Sequence, residues 1–376
     1  MITEYRPLSH ADVVVGKYLD GFNHDGQGPY PGSKIVSMST EQVPKNDMSR
    51  EKAAKHGIPV FGTVRGALTL GTGKLAVDGV LVIGEHGEYP LNEAGQKLYP
   101  RFELFLKVTD VFRESGRSVP VYTDKALSWD RGQARRMADI SRELGFPVMA
   151  GSSIPVAYRQ PNHDVPLGAP FRHGVSISFG GLEGYGFHGL EGLQCLMERR
   201  AGGETGVAAV RCVEDDECWR FLDTTPWARR LFDAALARSE TRKPGSPRDH
   251  VKKPAVFLLE YRDGARGAVF QMPGLVEDWT GAVDADFSVL FKLQRFGARL
   301  HFACLIQNME KMFQTGQPPY PVERTLLTGC ALDLLLLSKR KGNARIETPE
   351  LAIAYKPAQG PCYCRTGWSA DGKIIL

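Results

Sequence analysis

The chain lacks any apolar run long enough to span a bilayer, although it has 376 residues and is 42% hydrophobic. A membrane-spanning helix needs about 20 consecutive apolar residues. An apolar leader is missing as well, because Glu4 and Arg6 stand where a secretion signal needs an uncharged stretch. These absences predict a protein without a membrane partner and with a cytoplasmic location.

A strong excess of charge of either sign is also missing. The formal net charge is +4, which is small for a chain of this length. Basic residues are dispersed among acidic ones, and the densest basic cluster, residues 238–253, contains Pro244, Gly245 and Pro247 and is typical of a solvated loop. The composition therefore predicts no nucleic-acid partner.

The seven cysteines are too irregularly spaced for a disulfide framework. An odd number, in a chain without a secretion signal, predicts reduced thiols. Cys362 and Cys364 form a C-x-C pair, but a tetrahedral metal site needs a second pair that the sequence does not supply. We therefore expect packing, rather than metal binding, to explain this pair.

The first half of the chain alternates strand and helix patterns. Residues 77–83 are apolar, rich in β-branched side chains and without alternation, which is typical of a parallel strand buried on both faces. Further strand patterns lie at 34–38, 119–123 and 146–150, and helical patterns separate them. This rhythm predicts an α/β fold with a Rossmann-like doubly wound parallel sheet over residues 1–155.

The second half has a different rhythm, in which turns separate most of the strand patterns. These patterns lie at 205–214, 255–261, 265–271 and 287–294. They predict an α+β domain over residues 156–376, with a mostly antiparallel sheet that has one packed and one exposed face. Two closing helices within 299–338 are expected to pack back on the first domain. The exposed sheet face predicts a homo-oligomer formed through this domain.

Polar side chains follow three of the predicted parallel strands. Glu85 and His86 come directly after the strand at 77–83, Asp124 and Lys125 after the next one, and Ser152 after the last. The carboxyl ends of parallel strands meet at one edge of the sheet, where open α/β folds bind their ligands. We therefore expect these side chains to lie close together, the alternative for Glu85 and His86 being a solvated polar loop.

Other informative motifs lie in short segments along most of the chain. They are Ala53-Ala54-Lys55-His56-Gly57-Ile58-Pro59-Val60, Val77-Asp78-Gly79-Val80-Leu81-Val82-Ile83, Thr123-Asp124-Lys125, Gly186-Phe187-His188-Gly189-Leu190-Glu191, and the helical pair 309–316 and 328–338. Together they resemble the Gfo/Idh/MocA family of sugar and polyol oxidoreductases. In the family's Glu-Lys-Pro signature, Asp124 stands for the glutamate and Ala126 for the proline.

The resemblance implies a Rossmann-like domain followed by an α+β domain. It also implies that Lys125 orients or protonates a substrate hydroxyl and that His188 is the catalytic histidine. The family typically places an aspartate four residues before this histidine. Here that position is Gly184, with Glu183 one place earlier, so the resemblance is incomplete at this point.

The main departure from the family is the missing glycine turn after the first strand. A dinucleotide site needs glycines there, because only a backbone without side chains lets pyrophosphate reach the helix N-terminus. This sequence has no glycine before Gly16, and Glu4 adds negative charge near the expected phosphate position. NAD(P) binding is therefore disfavoured, although Arg6 and Lys17 are suited to another anion.

One candidate site follows from these positions. We expect Glu85, His86 and His188 to bind a divalent metal, zinc or manganese, which would activate water or polarise a carbonyl. The predicted catalytic residues are Lys125 as a proton donor, His188, Glu85 and Asp124. The predicted substrate-binding residues are Arg6, His10, Ser152 and Glu183.

Two enzyme classes remain for such a site. The first is a metal-assisted hydrolase or lyase that acts on a small polar substrate, sugar-like or carboxylated. The second is an NAD(P)-dependent sugar or polyol dehydrogenase with a degenerate cofactor turn. The missing glycines favour the first class, and the resemblance favours the second. A catalytically silent scaffold is the third possibility, but it leaves the ionisable groups at the strand ends unexplained.

Overall fold

The computed structural model describes residues 1–294 and 297–365. Its first five strands are β1 (Ile2–Glu4), β2 (Thr40–Gln42), β3 (Val80–Val82), β4 (Val121–Asp124) and β5 (Val148–Gly151). All pair in parallel in the order β2-β1-β3-β4-β5, with a single bridge between Ile2 and Ile83 joining β1 to the end of β3. The predicted Rossmann-like parallel sheet is confirmed.

The strand predicted at 34–38 is wrong. Only Met38 in this range makes a β-bridge, to Val60, and the partner of β1 is the segment that follows, with Ile2 opposite Thr40. Val36 is 47% exposed, so its β-branched side chain lies largely outside the core. The apolar pattern at 34–38 predicted a buried strand, but this segment is only partly buried in the fold.

Five helices accompany this sheet, and polar caps fix several of their starts. They are α1 (His10–Asp20), α2 (Ser49–Lys55), α3 (Val64–Thr69), α4 (Arg101–Ser115) and α5 (Arg131–Glu143). The side chains of Ser9, Thr63 and Asp130 accept hydrogen bonds from the first turns of α1, α3 and α5. Helix α4 begins at Arg101, directly after Pro100.

The second sheet has eight strands and is mostly antiparallel. They are β6 (Tyr158–Gln160), β7 (His173–Ser178), β8 (Val207–Glu214), β9 (Ala255–Tyr261), β10 (Arg266–Gln271), β11 (Trp279–Val283), β12 (Phe287–Lys292) and β13 (Ile346–Glu347). The order is β13-β8-β9-β10-β7-β11-β12-β6, and only β7 and β10 pair in parallel. The predicted mostly antiparallel sheet is confirmed, although β6, β7, β11 and β13 were not predicted.

Helices cover both faces of the second sheet. The helices of this half are α6 (Gly184–Met197), α7 (Asp215–Thr224), α8 (Pro226–Leu236), α9 (Pro247–His250), α10 (Ala303–Thr315) and α11 (Glu323–Arg340). Helices α6 and α11 cover one face of the sheet, and α7 and α8 cover the other. Phe257 of β9 packs in the cluster that contains α6 and α11, whereas its neighbour Val256 packs with Trp219 of α7 and Phe232 of α8. The exposed face on which we based the predicted homo-oligomer is therefore covered, in the described part, by α7 and α8.

Helix α10 belongs to the same buried cluster as α1 and the end of β3. Met309 of α10, Val14 and Ile83 are all members of it. The cluster also contains Cys304, which forms a disulfide with Cys364, so the prediction that all thiols are reduced is wrong for this pair. None of the helices in residues 1–294 and 297–365 has the length and apolar composition of a membrane span.

Candidate active site

A cleft of about 510 Å³ opens where the carboxyl ends of the parallel strands face α6 and β11. Glu85, His86, Lys125 and His10 line it on the side of the first sheet. His188 and aromatic side chains that include Tyr185 and Trp279 line it on the other side. The predicted convergence of strand-end side chains therefore produces one cleft, whose volume is ordinary for a small-molecule site.

A chain of ion pairs joins the ends of β3 and β4 at the floor of the cleft. Lys125 Nζ donates to Oε1 of Glu85 at 2.7 Å, and Arg101 at the start of α4 donates to the other oxygen of Glu85. Burial alone would raise the pKa of Glu85, but the charges of Lys125 and Arg101 outweigh it and hold the pKa well below its usual range. Glu85 is therefore an anion that fixes the lysine.

A second ionisable pair links α1 to the end of β4. His10 Nδ1 lies 2.7 Å from Oδ2 of Asp124, and the Tyr122 hydroxyl donates to the other oxygen of this carboxylate at 3.2 Å. Burial would raise the pKa of Asp124, but the contact with His10 lowers it. The ring of His86 lies 5.3 Å from that of His10, and burial lowers the pKa of His86 to about 4.

His188 lies on the opposite wall of the cleft. Its Nδ1 is 2.6 Å from the Ser152 hydroxyl, and its ring lies edge-on to Trp279. Burial, together with the nearby charge of Lys125, holds the pKa of His188 well below 6.5. The ring is therefore neutral at neutral pH and able to exchange hydrogen bonds with a ligand.

The other predicted site residues lie behind the cleft or beside it. Ser152 is buried and contacts His188 from behind. Glu183 lines a smaller cavity with Arg101 and Lys125, and burial raises its pKa. Arg6 is not among the residues that line the cleft, because its guanidinium pairs with Glu4 at 2.5 Å.

The prediction that Glu85, His86 and His188 bind a metal is wrong, because these side chains are not arranged as metal ligands. Both carboxylate oxygens of Glu85 bind cations of the protein, and Nδ1 of His188 faces a serine hydroxyl. Within the described ranges, 1–294 and 297–365, no group of three histidine, cysteine or acidic side chains is arranged to hold a metal ion. Neither zinc nor manganese has a ligand set here.

Sequence reasoning missed Arg101, Trp279 and His301. Trp279 and His301 line the cleft, are 6% and 7% exposed, and carry buried ring nitrogens, Nε1 and Nδ1, that have no hydrogen-bond partner among the described residues. Such groups are suited to a bound ligand. Only Arg101 had a usable signal, because a helix start directly after Pro100 places it close to the end of β3.

The turn between β1 and α1 reaches a glycine-like conformation without glycine. Leu8 has φ +63°, in the left-handed region, and its side chain is 61% exposed. Ser9 Oγ accepts from the backbone N–H groups of Arg6 and Asp12, and the Asp12 carboxylate accepts from Leu8 N–H. The side chains of Ser9 and Asp12 therefore bind the N–H groups of Arg6, Leu8 and Asp12 and hold Leu8 in the left-handed conformation.

The sequence matches no protein-family model and no curated protein, but solved structures match its fold. GenD2 from gentamicin A biosynthesis, in complex with NAD, is 14% identical, with coverage of 90% of this chain and 92% of its own and a TM-score of 0.54. Apo scyllo-inositol dehydrogenase from Lactobacillus casei is 10% identical, with coverages of 92% and 99% and a TM-score of 0.55. The chain has the Gfo/Idh/MocA fold.

A third structure, the aldose-aldose oxidoreductase from Caulobacter crescentus complexed with glycerol, is 13% identical, with coverages of 92% and 100% and a TM-score of 0.52. All three are named for redox reactions or bind a redox cofactor. They overturn our preference for a metal-assisted hydrolase or lyase, and also our prediction that NAD(P) is disfavoured. That prediction relied on missing glycines; in their place the turn has Leu8 in a left-handed conformation with an exposed side chain.

Proposed function

We propose that this protein is an NAD(P)-dependent dehydrogenase that acts on a hydroxyl group of a sugar or polyol. The observation that carries the proposal is that Lys125, at the end of β4, and His188, on α6, line the same cleft. These are the two residues to which the family resemblance gives catalytic roles. The redox enzymes that share the fold support the same reaction class.

Several polar groups in or behind the cleft then have roles in substrate binding. The ammonium of Lys125 binds the oxygen of the reacting hydroxyl, and Glu85 and Arg101 hold that ammonium in place. Neutral His188 hydrogen-bonds the same or a neighbouring hydroxyl. Asp124 acts indirectly, through His10. Tyr185 and Trp279, stacked with 11° between their ring planes, offer an apolar surface to a sugar or polyol carbon skeleton.

The cleft fits the reactive end of a nicotinamide cofactor, which would accept a hydride from the substrate carbon. Its volume and the unpartnered ring nitrogens of Trp279 and His301 provide space and hydrogen-bonding groups for a polar ring. Leu8 and His10 bring the β1–α1 turn to the border of the cleft, so the phosphates would lie against the N-terminus of α1. Arg6 is the cation of that turn.

Three further properties belong to the proposal. The chain divides into domains 1–155 and 156–376, the latter extending beyond the described residues, and it acts on a small molecule and not on nucleic acid. A homo-oligomer stays a prediction, although the exposed sheet face on which it was based is covered by helices. A cytoplasmic location also stays a prediction. Its simplest check is whether Cys304 and Cys364 form a disulfide in the isolated protein, because disulfides are rare in cytoplasmic proteins.

Binding and turnover measurements test the proposal. We expect the purified protein to bind NADH or NADPH saturably by calorimetry, and to reduce NAD⁺ or NADP⁺ with at least one member of a panel of cyclic and linear polyols and aldoses. Lys125→Met should remove turnover in a protein that still folds, because Arg101 continues to pair with Glu85. Lys45→Met, in an exposed loop, is the matched control. Protein that binds neither nicotinamide would refute the proposal.

A further inference from the structure

His10, which lines the cleft, makes an imidazole–carboxylate contact with Asp124. Asp124 is 2% exposed, and its second oxygen is held by the Tyr122 hydroxyl. A carboxylate fixed in this way on Nδ1 selects the tautomer with the proton on Nδ1. The Nε2 lone pair of His10 is then free, since no hydrogen bond in the described structure engages it.

Other histidines of the cleft lack this arrangement. His188 Nδ1 contacts a serine hydroxyl, and burial keeps the pKa of His188 well below 6.5. Burial lowers the pKa of His86 to about 4 and that of His301 to about 3. A general base works best when its pKa lies near the operating pH, so these three rings are poor proton acceptors.

Charged and titratable groups from several elements surround His10, which is the first residue of α1. These groups are Asp124 at the end of β4, Glu85 and His86 after β3, His188 on α6, and His301.

We propose that His10, oriented by Asp124, is the general base that accepts the proton of the substrate hydroxyl. The inference rests on the proposed function. The O–H bond breaks as a bond forms between the proton and Nε2 of His10. The electron pair of the adjacent C–H bond leaves as hydride for the nicotinamide cofactor that the proposed reaction uses, and a carbonyl forms. Deprotonation of the imidazolium by solvent restores the base.

Steady-state kinetics over a pH range test the role. We expect His10→Gln to lower kcat about 100-fold or more, with a smaller change in KM, and to remove the acid limb of the pH–rate profile. Asp124→Asn should lower kcat in the same way. Imidazole added to His10→Ala should restore part of the rate in proportion to its concentration. His163→Gln, an exposed histidine outside the cleft, should leave kinetics and profile unchanged.

A ligand-free measurement separates this role from a structural one. We expect ¹⁵N NMR of the wild-type ring to show the tautomer with the proton on Nδ1, and Asp124→Asn to convert it to a mixture. An unchanged tautomer in Asp124→Asn would overturn the inference, even if His10→Gln does not fold. If the wild type is active and His10→Gln is equally active, His10 is not the general base, but the proposed dehydrogenase function is unaffected. Wild type that binds no nicotinamide would overturn both.

Discussion

Lys125 Nζ lies 2.7 Å from Oε1 of Glu85, and this contact joins the residues that follow two neighbouring strands of the parallel sheet. Both side chains are largely buried, with 14% and 10% of their surface exposed. Arg101, also buried, binds the other oxygen of Glu85. One anion therefore holds two cations, and the position of the proposed catalytic lysine depends on it.

Glu85→Gln should destabilise the protein and remove turnover. The amide cannot neutralise Lys125 and Arg101, and breaking a buried ion pair by removing one partner costs about 3–5 kcal/mol. We expect chemical denaturation to show a loss of about this size. The control is Glu114→Gln, which removes an exposed pair with Arg65 and should change stability by less than about 1 kcal/mol. Equal stability of the two variants would contradict the claim that Glu85 stabilises the protein by pairing with Lys125 and Arg101.

Gly84→Ala should disturb the same cluster without changing any charge. A Cβ at position 84 would lie 2.6 Å from Cγ of Arg101, closer than real Cβ atoms approach, so the Arg101 side chain that binds Glu85 must shift. We expect a loss of about 1–3 kcal/mol of stability and a fall in kcat. Gly62→Ala is the matched control, because no atom lies within 4 Å of its Cβ position. A Gly84→Ala variant with wild-type kinetics would show that Arg101 is not needed there.

Strand-end residues of the site were predictable from the sequence. A continuous β-branched run indicates a parallel strand, and the carboxyl ends of parallel strands meet, so Glu85 and Lys125 had to approach each other. His188 was found through a local motif alone. The pairing of Asp124 with His10 was not predictable, because it depends on the direction of the Asp124 side chain and on where α1 begins relative to β4.

Residues from the second sheet were beyond sequence reasoning. Trp279 belongs to β11, whose pattern is broken by Gly281, and a glycine weakens the signal for a strand. The fold requires that glycine, since a Cβ there would lie 2.8 Å from Leu196 of α6. The close packing of α6 on the sheet, which also positions His188, therefore requires a glycine in β11. That glycine interrupts the apolar pattern by which β11 could have been recognised in the sequence.

Lys17 should make stability rise with pH above neutrality. It is fully buried on α1, and Nζ donates to the carbonyl oxygens of Phe22 and Ala298. Burial lowers its pKa from 10.5 to about 7. Between these values the unfolded chain binds a proton that the folded chain has released, so the free energy of unfolding increases with pH over this range.

Denaturation curves between pH 7 and pH 10 test the effect of Lys17. We expect Lys17→Met to reduce the pH-dependent gain in unfolding free energy seen for the wild type. Lys45→Met, at an exposed site, should keep the wild-type slope. An identical slope for wild type and Lys17→Met would mean that Lys17 titrates alike in the folded and unfolded chains.

Asp12→Asn should tighten nicotinamide dinucleotide binding. The Asp12 carboxylate accepts from Leu8 N–H at 2.9 Å and places a negative charge in the first turn of α1, where the proposed cofactor phosphates would lie. Asparagine keeps a hydrogen-bond acceptor but removes the charge. A charge near a helix N-terminus is worth about 0.3–1 kcal/mol, so we expect the Kd for NADH to fall about 2- to 5-fold.

Calorimetry at low and high salt distinguishes this charge effect from a change in the turn. The gain in affinity should shrink at high salt, because added ions screen exposed charges. Asp78→Asn removes a carboxylate that is 94% exposed and precedes β3 at the amino end of the sheet, so it should leave the Kd unchanged. A Kd for Asp12→Asn that is unchanged or higher would place the phosphates away from the N-terminus of α1.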